Sequence, residues 1–266
     1  MVIGSWNLVI DHELLFGLPH YGVHVQVRII SDVETMSHEA AKVFADFSKK
    51  YISSQGRFVA ALSGGDTPKR FYQILATDKY CTSIEWSKIH FFWVDERCVP
   101  KESESSNFRL SFDHLISRIS IPDANIHRIK GDFGPEKGAQ DYADELKNFF
   151  GVGLPIFDLI LLGMGEDGHT ASLFPGSKSL DEKKRLVISV YAEEMNRITL
   201  TLPVLNSARH ILFLVSGQSK KQVLNDILVD NERRKNYPAG LVQPVHGDLL
   251  WLIDEAAAGK FKRMKS

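Results

Sequence analysis

FDLILLGMGEDGHTASLFPG, residues 157–176, carries the clearest signal of the chain's architecture. Its opening run, Phe157–Leu162, is short and apolar apart from Asp158, and it stops at a glycine. It lacks the alternation of a strand with one wet face, so it reads as a parallel strand covered on both sides. Five similar runs flank it: His24–Ile30, Phe58–Leu62, Ile89–Val94, His210–Val215 and Leu249–Ile253. Between the first two, Met36, Ala40, Val43, Phe44, Phe47 and Tyr51 fall on one stripe at helical spacing. Ala139, Tyr142, Ala143, Leu146, Phe149 and Phe150 do the same ahead of Phe157, and both stripes read as core. This alternation predicts an α/β fold: a three-layer, open, mostly parallel sheet with helices on both faces, Rossmann-like and doubly wound.

The chain has 266 residues, 44% of them hydrophobic, enough to bury a sizeable core. Lysine plus arginine (32) and aspartate plus glutamate (33) nearly cancel, which argues against an electrostatic grip on nucleic acid or an anionic membrane. Two cysteines, Cys81 and Cys98, read as reduced thiols of a cytosolic protein. The N-terminus lacks a basic start, a continuous apolar run and a cleavage site, and no window suits a membrane span. Pro122, Gly131, Gly134, Gly151 and Gly153 read as surface loops rather than a domain break, and Lys101–Ser106 and Asn231–Lys235 as solvated loops. The expected organisation is an N-terminal extension of unassigned role over residues 1–23 and a single α/β domain over 24–266.

Four strands end in unusual loops: SGGDT at 63–67, DER at 95–97, GMGEDGH at 163–169 and SGQSK at 216–220. Ligands of open α/β sheets bind outside the carboxyl ends of the strands, so parallel strands bring all four loops to one rim. Gly64 and Gly65 allow a tight turn and a close approach of backbone to ligand. Asp66 or Thr67 caps the next helix, Pro68 suits its first turn, and the free N–H groups there attract phosphate. An ordinary strand–helix turn looks the same, and the GxxxxGK[ST] spacing is absent. Arg97 offers a fork for phosphate or carboxylate, or else a plain salt bridge to its acidic neighbours. Lys220 or Lys221, near the start of another helix, supplies a point charge.

His169 is expected to open a short helix after the glycine loop. A neutral imidazole there takes a proton from water, with Asp167 to orient it. A capping turn without chemistry is the alternative, and the crowded rim favours catalysis. Asp95, Glu96, Asp167 and His169 show no metal-ligand spacing, so no metal is expected. Without a GxSxG elbow or a cysteine nucleophile, direct attack by activated water is favoured over a covalent intermediate.

LSGGDTP at 62–68, DERCVP at 95–100, SSNFRL at 105–110, FDLILLGMGEDGHTASLFPG at 157–176 and RITLTLPVLNSARHILFLVSG at 197–217 resemble the 6-phosphogluconolactonase family, in that family's order. The resemblance runs from about residue 24 to the Leu249–Gly259 segment. It implies hydrolysis of 6-phospho-D-glucono-1,5-lactone to 6-phosphogluconate, the second step of the oxidative pentose phosphate pathway, with no cofactor. It also implies roles: His169 as general base beside Asp167 and Gly168, with Arg97, Asp95 and Lys220 holding the substrate and its phosphate. Gly64, Gly65, Asp66 and Thr67 would line the phosphate end, and Arg197 would add a contact. Asp66 stands where many relatives have Ser or Thr, so its backbone N–H is available but a hydroxyl is not.

The expected partner is a small sugar-phosphate lactone, with no nucleic acid and no membrane, and the protein a cytoplasmic monomer or homodimer. The glucosamine-6-phosphate deaminases are similar in fold and in the DGH region. This chain departs from them with Phe174 where they carry a glutamate, and with DER in place of DEY. A non-catalytic sugar-phosphate sensor would need an output module, and no segment is left for one.

Overall fold

The structure is a computed structural model that describes residues 6–9 and 24–259. Ten strands are present among them: β1 (Trp6–Val9), β2 (Val25–Ile30), β3 (Phe58–Leu62), β4 (Ile89–Trp93) and β5 (Asp95–Arg97) come first. Then follow β6 (Leu159–Leu162), β7 (Val187–Ala192), β8 (Met195–Leu200), β9 (His210–Val215) and β10 (Asp248–Asp254). The main sheet has the order β1-β2-β10-β9-β6-β3-β4. Every pairing from β2 to β4 across it is parallel, and only β1 runs antiparallel, against β2. All six apolar runs are therefore strands of one mostly parallel sheet. The reason is burial: every residue of β3, β6 and β9 is buried, so these strands had no wet face to encode.

The longer helices are α1 (Val33–Gln55), α2 (Asp66–Leu75), α3 (Asn107–His114), α4 (Pro135–Phe150) and α5 (Lys221–Val229). Asp32 caps α1 by accepting from Thr35 N at 2.8 Å, and Gly56 ends it in a left-handed conformation. The expected stripe of α1 is its buried face, where Phe44 packs edge-on against Phe58 (5.2 Å between centroids) and Phe71 (6.0 Å). Across the sheet, Phe213 of β9 stacks on Trp251 of β10 at 3.8 Å. Each such ring contributes about 1.5–3 kcal/mol by leaving water.

The structure departs from the expectation in several places. A second, three-stranded antiparallel sheet, β5-β8-β7, stands beside the first, so DER is a strand rather than a loop. Asn231–Lys235 is not a solvated loop: Asn231–Arg234 forms a helical turn capped by Asp230, and Arg234 is buried. Trp6–Val9, within the N-terminal stretch, is an edge strand, while the rest of residues 1–23 lies outside the described residues. Among the described residues no helix is long and apolar enough to cross a membrane.

Candidate active site

The direction of the chain reverses beside β3, which leads onward to β4 on one side while β6 lies on the other. Loops leaving β3 and β6 therefore part, and the crevice between them is the place where such sheets bind ligands. A cleft of about 500 Å³ opens there. Gly64, Gly65, Asp66, Thr67, Asp95, Arg97, His169, Arg197 and Lys220 all line it. Asp167 and Gly168 do not.

The loop after β3 is held by Tyr72, whose hydroxyl donates to Ser63 O at 2.6 Å. Gly65, at φ 104°, is the N-cap of α2, so neither Asp66 nor Thr67 caps it as expected, and no side-chain cap bond forms. A side chain at Gly64 would run into Asn107, whose Oδ1 lies 1.8 Å from where a Cβ would sit. The loop thus presents bare backbone, and the first-turn amides of α2 have no acceptor within the helix.

His169 lies in a closed turn, not at the start of a helix. Gly165 N donates to His169 O at 2.8 Å, Thr170 Oγ1 donates to Gly163 O at 2.8 Å, and Ala171 adopts φ 49°. That left-handed residue is incompatible with the predicted helix. Asp167 Oδ1 is 2.7 Å from His169 Nδ1 and also accepts from His169 N at 3.0 Å. A carboxylate only accepts, so Nδ1 carries the ring proton and Nε2 is left with a free lone pair. Gly165 is required for this arrangement, because a Cβ there would lie 2.2 Å from Nδ1. The His169 side chain is 24% exposed, enough to meet a water, and its ring packs 4.6 Å from that of Phe174. Gly168 is buried and serves the scaffold, its carbonyl accepting from Ala239 N at 3.0 Å.

Asp95 is buried and already partnered. Ser172 Oγ donates to it at 2.7 Å and Asn107 Nδ2 at 3.1 Å, tying the turn that carries His169 to the loop beneath Gly64. Glu96 accepts from the amides of Arg97, Asn107 and Phe108 at 2.7–2.8 Å and so anchors the N-terminus of α3. Burial pushes its carboxyl above the usual range, and those hydrogen bonds pull it back. Among the described residues no group of three or more His, Cys, Asp or Glu is arranged to hold a metal.

Arg97 and Arg197 face each other directly across β5 and β8. Arg97 Nη1 donates to Ser105 O at 2.7 Å, Arg197 is paired with Glu193, and both Nε atoms are buried without a hydrogen-bond partner. Arg197 also lies over the Phe174 ring, 5.5 Å from its centroid. Lys220 reaches the cleft and is 3.9 Å from Glu166, while Lys221 lies against Gly259, away from it. The loop bearing Lys220 is fixed by Asp254, which accepts from Ser216 Oγ at 2.5 Å and from Gly217 N at 3.2 Å.

Asn107, Ser172 and Glu193 escaped the sequence reading. Asn107 lay inside the SSNFRL motif, a usable signal. Ser172 and Glu193 act through turns that fold them back onto partners, which no linear pattern records.

Residues 31–251 match the family model described as glucosamine-6-phosphate isomerases/6-phosphogluconolactonase. The chain is 39% identical over 236 residues to the 6-phosphogluconolactonase of Synechocystis sp., covering 87% of this chain and 96% of that one. It is 36% identical to the chloroplastic 6-phosphogluconolactonase 3 of Arabidopsis thaliana, over 88% of this chain and 75% of that one. The solved 6-phosphogluconolactonase of Thermotoga maritima superposes with a TM-score of 0.74 at 30% identity, over 88% of this chain and 99% of its own. The chain belongs to the glucosamine-6-phosphate isomerase/6-phosphogluconolactonase family.

Proposed function

We propose that this chain hydrolyses 6-phospho-D-glucono-1,5-lactone, with His169 as the base that activates water. The observation carrying this reading is the Asp167–His169 pair at 2.7 Å, which leaves Nε2 as a proton acceptor at the edge of a cationic cleft. Nε2 takes a proton as the water oxygen attacks the lactone carbonyl carbon. The carbonyl oxygen gathers negative charge, for which backbone N–H groups of the glycine loops are the donors. As the tetrahedral species collapses, the bond to the ring oxygen breaks and that oxygen takes the proton back from His169. The product is the open-chain acid, and His169 returns to its neutral form. Arg97, Arg197, Lys220 and the first turn of α2 supply positive charge for the phosphate, with Gly64, Gly65, Asp66 and Thr67 beside it. Asp95 braces the loops through Ser172 and Asn107 and, lining the cleft, has acceptor capacity left for a substrate hydroxyl.

We further propose a cytoplasmic enzyme that works without a cofactor, as a monomer or a homodimer. Phe174 packed on the His169 ring supports a hydrolase over a deaminase, since an apolar ring occupies the position of the acid that the sequence comparison assigned to the deaminases. The test is acid release from freshly generated lactone, above the spontaneous rate, beside ammonia release from glucosamine 6-phosphate. Turnover of the lactone alone is expected. Turnover of the amino sugar alone would overturn the reading.

A further inference from the structure

The hairpin joining β7 to β8 turns through Glu193 and Glu194, which both adopt left-handed backbone, φ 49° and 58°. Two-residue hairpin turns of this hand favour Asn and Gly, so two consecutive glutamates are an unfavourable choice for the turn itself. Glu193 has a partner that accounts for its position. Its carboxylate pairs with Arg197, whose side chain is only 8% exposed and lines the cleft. Arg197 stands opposite Arg97 in the strand register, and like charges directly opposed repel. Both guanidinium Nε atoms are buried with no hydrogen-bond partner, whereas the Glu193 side chain is 59% exposed and compensates Arg197 from the solvent side.

We propose that Glu193 is a resident counter-ion of the Arg97–Arg197 pair, which compensates Arg197 in the free protein and thereby lowers the site's affinity for phosphoryl ligands. This rests on the reading above that Arg197 meets the substrate's phosphate. Without Glu193, a buried guanidinium is left beside a second one, and an incoming phosphate relieves more repulsion and meets no neighbouring carboxylate. Arg197 stays where it is, since the strand β8 and the Phe174 ring hold it. Glu193 is therefore a specificity-setting residue: it keeps phosphorylated product from binding too tightly.

The test is calorimetric binding of 6-phosphogluconate, inorganic phosphate and gluconate to the wild type and to Glu193→Gln, Glu194→Gln and Arg197→Ala. Glu193→Gln is expected to bind the two phosphoryl ligands about threefold to tenfold more tightly, with gluconate unmoved, and to melt lower without ligand. A merely structural role would weaken binding instead. Glu193→Asn, which suits left-handed backbone, repeats the measurement should the glutamine variant not fold. Unchanged or weaker phosphoryl binding by these variants, with Arg197→Ala also weakened, would overturn the proposal alone. Equal tightening by Glu194→Gln would reduce it to a general field effect, and equal tightening of gluconate would move the anion from phosphate to carboxylate; either overturns it. Unchanged binding by Arg197→Ala would remove the reading on which it rests.

Discussion

His169 depends on two neighbours that do different things. Asp167 fixes the tautomer through Nδ1, and Gly165 leaves room for the ring to lie against its own turn. Asp167→Asn can still touch Nδ1 but can present an amide donor there, which favours the tautomer with the proton on Nε2, where it blocks the base. Hydrolysis is expected to fall by about tenfold or more, seen in kcat with KM little changed. Gly165→Ala places a methyl 2.2 Å from Nδ1, so the ring or the turn must shift. A kcat loss of about tenfold to a hundredfold is expected while the melting temperature stays within a few degrees, because a displacement near 1 Å suffices to cost rate. A Gly165→Ala enzyme of wild-type rate would show that the ring's position is not critical.

At the scale of elements, Glu96 ties two of them together. It joins β5 to the start of α3 by accepting from Asn107 N, Phe108 N and Ser106 Oγ, and it also accepts from Arg97 N within β5. Glu96→Ala leaves those donors buried without an acceptor and is expected to cost about 2–4 kcal/mol in denaturant unfolding, with weaker substrate binding because Arg97 follows directly. A loss under about 0.5 kcal/mol would contradict the anchor. Most of the six parallel strands were legible because burial on both faces leaves a nearly unbroken apolar run, while β2, with Gln26 and Arg28, alternates buried and half-buried positions. The second sheet was not. β7 alternates irregularly between buried and half-exposed positions, and β5 has three residues, all polar or charged. The four rim loops were legible as glycine and charge clusters ending strands. The turn around His169 was not, because Ala171 takes its left-handed conformation from the Thr170–Leu173 bridge rather than from its own preference. Lys220 and Lys221 could be separated only by the short helical turn Gln218–Lys220 that orients them.

The whole molecule carries its acid sensitivity away from the cleft. Burial holds His210 at about 4, against the opposing pull of Asp248, with its Nε2 2.8 Å from the Tyr51 hydroxyl. Burial, with help from His127 and Arg57, holds His90 at about 4 as well. Both folded values lie below the unfolded value of about 6.5, so between those limits the unfolded chain binds protons that the fold excludes. Stability is therefore complete above pH about 6.5 and is lost as pH falls toward 4, at up to about 1.4 kcal/mol per pH unit for each fully excluded proton. Melting curves from pH 7 to 4.5 should show the decline, and His210→Gln should flatten it. A slope unchanged in that variant would assign the sensitivity elsewhere.

On the proposed mechanism, His169 activates water for attack on the lactone without help from a metal. Rates of acid release by wild type and His169→Ala, measured above the spontaneous hydrolysis and in the presence of chelator, test it most directly. Full wild-type activity and a fall of about 10²-fold or more in the variant are expected. A variant that turns the lactone over at a rate near wild type would contradict it.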